Sequence, residues 1–160
     1  MYSKILVPVD GSRTGKFGLQ EAIRLAASQK TPARLRLLHV IDDFPMLVEM
    51  SSVVSFDRAM RALRESGLAV LEQARQLADA GDVRADVTLR EATGSRIAKE
   101  VLAEARESGC DLIVMGTHGR RGLTRLTLGS DADMVVAASH IPVLLVRGQE
   151  QQDEGKGVTA

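Results

Sequence analysis

The stretch Asp111-Leu112-Ile113-Val114-Met115-Gly116-Thr117-His118-Gly119-Arg120-Arg121-Gly122 passes directly from a short apolar run into a glycine-rich loop. The run, from Asp111 to Gly116, is dominated by aliphatic residues with little polar alternation, the pattern of a strand buried on both faces of a sheet. Three other segments read alike: Ile5 to Val9, Leu35 to Ile41 and Pro142 to Val146. A fifth differs, because Val83, Ala85, Val87 and Leu89 alternate with Arg84, Asp86, Thr88 and Arg90. Such alternation predicts a half-exposed strand at a sheet edge.

Between these strands the apolar residues return with helical spacing. Leu19, Ala22, Ile23 and Ala26 form one set; Met60, Leu63, Gly67, Val70, Leu71, Ala74, Leu77 and Ala78 form a second. Ile97, Val101, Leu102 and Ala105 mark a third helix, with Gly94 or Ser95 at its start, and a shorter fourth is expected from about Ser130 to Ala138. Strands and helices therefore alternate, which predicts a parallel sheet with right-handed crossovers and helices on both faces. Two segments stand outside the pattern. Asp42 to about Asp57 has no clear period and reads as either a binding loop or a partly helical cover. From Gly148 to Ala160 the chain is a polar tail, expected to be disordered, which leaves residues 1–147 as one domain.

Composition narrows the function. The chain has 160 residues, 44% hydrophobic and 26% charged, which is globular and enough for a core. Its 21 basic and 21 acidic residues cancel, which argues against nucleic acid as the main partner. Aromatics are 2%, too few for a base-stacking platform. A lone Cys110 excludes an internal disulfide and any multi-cysteine metal site, and fits a reducing, cytoplasmic setting. No apolar run has the length of a membrane span, and the N-terminus lacks the pattern of a signal peptide. Three scattered histidines, His39, His118 and His140, make a zinc site improbable.

In an open parallel sheet, ligands bind beyond the carboxyl ends of the strands, where the strand order reverses. If the first strand is central with the fourth beside it, that crevice is bordered by Pro8-Val9-Asp10-Gly11-Ser12 and by Gly116-Thr117-His118-Gly119. Glycines there allow close backbone approach, and Gly129-Ser130 opens a helix whose first N–H groups suit an anion. Familiar phosphate motifs fail. Gly11-Ser12-Arg13-Thr14-Gly15-Lys16-Phe17 has three residues between its glycines where a Walker loop needs four, and Phe17 replaces the magnesium-binding hydroxyl. No G-x-G-x-x-G follows the first strand, and Asp10 lacks the companion acids of a phosphoacceptor domain. No hydrolase elbow is present either.

The chain resembles the universal stress proteins from about residue 3 to 147. The resemblance rests on Ile5 to Ser12, Leu38-His39-Val40-Ile41-Asp42, Asp111 to Gly122, Gly129-Ser130 and Pro142 to Val146. The nucleotide-binding branch of that family carries G-x2-G-x9-G-[ST], matched here by Gly116, Gly119, Gly129 and Ser130. The resemblance implies a single doubly wound α/β domain with a five-stranded parallel sheet of order 3-2-1-4-5, Rossmann-like and akin to the adenine nucleotide α-hydrolases. It also implies roles. Pro8 and Asp10 would border the ribose, with Asp10 near a metal-bound phosphate; the main chain of Val40 would recognise adenine. Met115 and Gly116 would wall the ribose, and Gly119, Gly129 and Ser130 would hold phosphates.

Arg120 is either a phosphate clamp or a solvated loop charge. Asp131 stands where many relatives carry a residue able to touch phosphate, and beside a triphosphate it would repel unless Mg²⁺ intervened. ATP with Mg²⁺ is the expected ligand, with AMP or ADP possible. The apolar strand Pro142 to Val146 would pair with its copy in a homodimer, which also hides a bare edge. The functional expectation is a nucleotide-dependent stress-response module. Its rivals are a ligand-free interaction protein and a slow ATPase or self-phosphorylating protein.

Overall fold

The computed structural model describes residues 1–42, 53–92, 96–117 and 129–147. In chain order the elements are β1 (Lys4–Pro8), α1 (Arg13–Ala27), β2 (Arg34–Ile41), α2 (Val53–Ala80), β3 (Ala85–Glu91), α3 (Ile97–Glu107), β4 (Leu112–Gly116), α4 (Ser130–Ala138) and β5 (Val143–Val146). All strand pairs are parallel, and the sheet order is β3-β2-β1-β4-β5, as expected. The alternating strand β3 is indeed an edge, paired only with β2.

Side-chain alternation along the strands divides the core into two layers. Ile5, Val7, Leu35, Leu37, Leu112 and Val114 face Leu19 and Ala22 of α1 and Leu71 and Ala74 of α2. Leu6, Leu38, Ile113 and Met115 face Ala98 and Val101 of α3 and Ala132 and Val135 of α4. Both faces of the central strands are thus covered, which is why β1 and β4 read as apolar runs, while β2 admits Arg36 and His39 where each has a polar partner.

The second layer includes an ionic patch. Arg36 of β2 and Arg90 of β3 both donate to Glu104 of α3, at 2.7 Å each, and Glu104 is only 3% exposed. Arg90 also reaches Glu100 and Glu107, and Ser108 Oγ donates to Glu104. A buried carboxylate survives here because each oxygen has a charged donor.

Two helices end alike. At α3, the Cys110 N–H bonds to the Ala105 carbonyl and the Gly109 N–H to Arg106, with Gly109 at φ 64°. At α2, the N–H groups of Val83 and Asp82 bond to Ala78 and Asp79, with Asp82 taking the left-handed position at φ 56°. Both are Schellman closures, the second built on a residue less suited to that backbone than glycine.

Two sequence expectations need correction. Helix α2 begins at Val53, so residues 53–57 are helical and not part of the preceding connection. Helix α3 takes Arg96 as its N-cap, one residue past Ser95, with no hydrogen bond from the cap side chain. Residues 43–52, 93–95, 118–128 and the tail from Gly148 lie outside the described residues. No helix among the described residues is long and apolar enough to cross a membrane.

Candidate functional site

The strand order reverses between β1 and β4: β1 leads through α1 to β2 on one side, and β4 leads through α4 to β5 on the other. The crevice expected from the sequence therefore lies at the carboxyl ends of these two central strands.

At the end of β1 the chain turns through Asp10 and Gly11 into α1. The Asp10 carboxylate accepts the Ser12 N–H at 2.9 Å and the Ser12 hydroxyl at 2.5 Å, both on Oδ1. Ser12 is the N-cap of α1, and its Oγ accepts the Gly15 N–H at 3.0 Å. Asp10 is thus held in place by the turn that starts the helix, a local arrangement favoured by the Asp, Gly, Ser sequence.

The end of β4 lies directly against that first turn. A Cβ on Gly116 would stand 2.6 Å from the Thr14 carbonyl oxygen, and one on Gly18 would stand 3.0 Å from the Gly116 nitrogen. Glycine at these positions is what lets helix and strand backbones touch. Gly116 therefore has a packing reason of its own, and the side chain of Met115, 9% exposed, belongs to the second core layer.

Beyond β4, Thr117 is 6% exposed and ties the end of β4 to β5 on one side and to the start of α4 on the other. Its N–H donates to the Val146 carbonyl, and its own carbonyl accepts the Gly129 N–H at 2.9 Å. Gly129 is the N-cap of α4, at φ −60° and ψ 145°, without a side-chain cap bond. The N–H groups of Ser130, Asp131 and Ala132 have no acceptor within their own helix, as at every helix start. Gly129 and Ser130 are thereby placed beside the end of β4. Gly119 and Arg120 lie in 118–128, outside the described residues.

Val40 lies at the end of β2, in register with Arg90 of β3. The Leu38 carbonyl accepts the Val9 N–H, and the Ile41 carbonyl accepts the Ala92 N–H. Main-chain groups alternate in direction along a strand, so the Val40 N–H and C=O point toward the β1 side, past Pro8, the last residue of β1. His39 is tied by Nδ1 to the Val9 carbonyl at 2.7 Å. Cys110 is buried, and burial pushes its thiol up to about 11.

Asp131 departs from expectation in what it does. Its Oδ1 accepts the Ala98 N–H at 3.3 Å, in the first turn of α3. Sequence reasoning missed this, as it missed the close approach of α1 to β4. The latter had a signal: Gly15 and Gly18, in a helix where glycine costs about 1 kcal/mol relative to Ala, imply that something comes near. The former had none, since it joins helices separated by a strand.

Comparison with known proteins gives a consistent result. The chain matches the Universal stress protein family over residues 1–147. It is 35% identical to the universal stress protein YxiE of Bacillus subtilis, over 92% of this chain and 100% of that one. It is 31% identical to the universal stress protein MJ0531 of Methanocaldococcus jannaschii, over 95% of this chain and 86% of that one. Among solved structures, the protein MJ0577 superposes with a TM-score of 0.82 at 26% identity, over 94% of this chain and 99% of that one. On the matched residues 1–147 and these relatives, the chain belongs to the universal stress protein family.

Proposed function

We propose that this protein binds an adenine nucleotide in the crevice between the carboxyl ends of β1 and β4, and acts as a nucleotide-dependent regulatory module in the stress response. The observation that carries the proposal is the convergence of Asp10, the Val40 main chain and the Gly129-Ser130 start of α4 on the switch point of the sheet. Gly116, Gly119, Gly129 and Ser130 also keep the G-x2-G-x9-G-[ST] spacing. Two universal stress protein structures of this fold support the choice of adenine: one is in complex with cAMP (TM-score 0.59), and one from Arabidopsis thaliana has AMP bound (TM-score 0.66).

The residues suit such a ligand. The Val40 N–H and C=O offer one donor and one acceptor to a purine edge. The free N–H groups at the start of α4 suit phosphate oxygens. In this proposal Pro8, Met115 and Gly116 border the ribose, and Gly119 and Arg120, which lie outside the described residues, add to the phosphate site. Asp10 is one fixed carboxylate, and Mg²⁺ is commonly held by one or two carboxylates together with substrate phosphates and water. ATP with Mg²⁺ is the first choice, AMP or ADP the alternatives. With Asp131 directed at Ala98, one objection to a triphosphate is weakened. The protein is proposed to be cytoplasmic and to dimerise through β5.

The test is Gly129→Val. The backbone at Gly129, at φ −60° and ψ 145°, is in a region open to valine, and a branched side chain at the N-cap of α4 should crowd a ligand held by its first N–H groups. Nucleotide binding should disappear with the thermal unfolding midpoint nearly unchanged. Unaltered affinity would reject the site.

A further inference from the structure

We propose that Asp131 is a positioning residue that ties the N-terminus of α3 to that of α4, so that order in the first turn of α3 and ligand binding at α4 are coupled. The inference rests on the adenine-nucleotide reading above for its second half only.

The starting point is a missing cap. Ala98 is the second residue of α3 and has no acceptor within its own helix, while Arg96, the N-cap, makes no side-chain bond. Ala98 is also fully buried, so water does not readily replace an absent partner. The partner comes from elsewhere: Asp131 Oδ1, on the first turn of α4. The carboxylate thus acts as an external cap.

Its location makes the contact more than local. Asp131 immediately follows Ser130, and Asp131 and Ala132 supply two of the three free N–H groups at the start of α4. The same turn is anchored to β4 through the Gly129 N–H and the Thr117 carbonyl. Below it, Ala132 and Val135 of α4 share a core with Ala98 and Val101 of α3. The two helix starts therefore form one packed unit at the carboxyl edge of the sheet. Any ligand that fixes the first turn of α4 also fixes the carboxylate that caps α3, and coupling of this kind is reciprocal.

The role belongs to an acceptor oxygen more than to a charge, which separates it from a simple helix-dipole effect. Asp131→Asn keeps an oxygen acceptor; Asp131→Ala removes it. Amide hydrogen exchange, measured by NMR on the full chain, reads the cap directly at Ala98. Exchange at Val114 in the central strand β4 reports whether the fold is intact. In Asp131→Ala, Ala98 exchange should rise about tenfold, as loss of a cap typically implies, with Val114 protected as in the wild type. The affinity for AMP and for Mg·ATP should fall by a similar factor, and Asp131→Asn should restore most of both.

Unchanged exchange at Ala98 in Asp131→Ala would overturn the cap. Faster exchange with unchanged nucleotide affinity would overturn the coupling, and so would an Asp131→Asn variant no better than Asp131→Ala. Failure of the wild-type chain to bind any adenine nucleotide would reject the ligand reading, with the coupling falling alongside it; the cap would still be decided by exchange at Ala98.

Discussion

At the scale of single residues, small side chains decide what can approach what. A Cβ added at Gly116 would meet the Thr14 carbonyl oxygen at 2.6 Å and its carbon at 2.7 Å, both backbone atoms that cannot rotate away. Gly116→Ala should therefore push α1 off β4 and lower stability by about 1–3 kcal/mol, read as a drop in the urea midpoint. Gly15→Ala is a different experiment. Its Cβ would meet Asp10 Oδ1 at 2.6 Å, and a carboxylate can turn aside. That variant should keep most of its stability and lose nucleotide affinity; full affinity would remove Asp10 from the site. These contacts were only half legible beforehand. The loop glycines announced themselves by spacing, and Asp10 by its place after an apolar strand. The packing role of Gly116 was hidden, because a glycine that meets a ligand and one that meets a helix look alike in sequence.

At the scale of elements, strands were easier to read than helix boundaries. Apolar runs made β1, β2, β4 and β5 visible as strands, and the alternation of residues 83–90 marked β3 as an edge. The same kind of run misread β5 as buried on both faces, when it is the other edge of the sheet with none of its residues buried. The start of α2 was missed although Val53, Phe56 and Met60 already keep the helical i, i+3, i+7 spacing, because the scattered apolar residues before them blur where the period begins. Helix α2 closes on Asp82 at φ 56°, so Asp82→Gly should stabilise the protein by about 0.5–1 kcal/mol, visible as a higher thermal midpoint.

The ionic patch under α3 makes the opposite kind of prediction. Burial pushes the Glu104 carboxyl up, but hydrogen bonds from Ser108, Arg36 and Arg90 outweigh it and hold it below the ordinary value of 4.5. A depressed folded-state value means the stabilisation is present above about pH 4.5 and is lost as pH falls through the lower one. Glu104→Ala, which leaves two arginines without their shared acceptor, should cost about 3–5 kcal/mol at neutral pH. Its stability should fall less than that of the wild type on acidification, measured by urea unfolding from pH 7 to pH 3.

At the scale of the molecule, the sheet order brings the described residues of the proposed nucleotide site to the carboxyl edge of the sheet. β1 sits at the centre, flanked by β2 and β4, so three strand ends and two helix starts meet there. At the opposite end of the sheet Asp111 accepts from the N–H groups of Ser3 and Lys4, closing β1 against β4 with a structural contact. The outer strand β5 carries Leu144 at 36% exposure, and Val136 of α4 is 45% exposed. A dimer formed along β5 would cover such an edge, and Leu144→Lys should then shift the protein to monomer in sedimentation equilibrium; an unchanged mass would place the interface elsewhere or exclude one.

The alternation of strands and helices was sufficient for a parallel sheet with helices on both faces, because parallel crossovers leave few arrangements, while the strand order came from the family resemblance. It was not sufficient for the joining of α3 to α4 through Asp131, which exists only once the chain has folded. The measurement that decides most is calorimetric titration of AMP and of Mg·ATP into nucleotide-stripped protein, with Gly129→Val alongside. One site per chain, lost in the variant, is the predicted result. No binding of either nucleotide to the wild-type chain would contradict it.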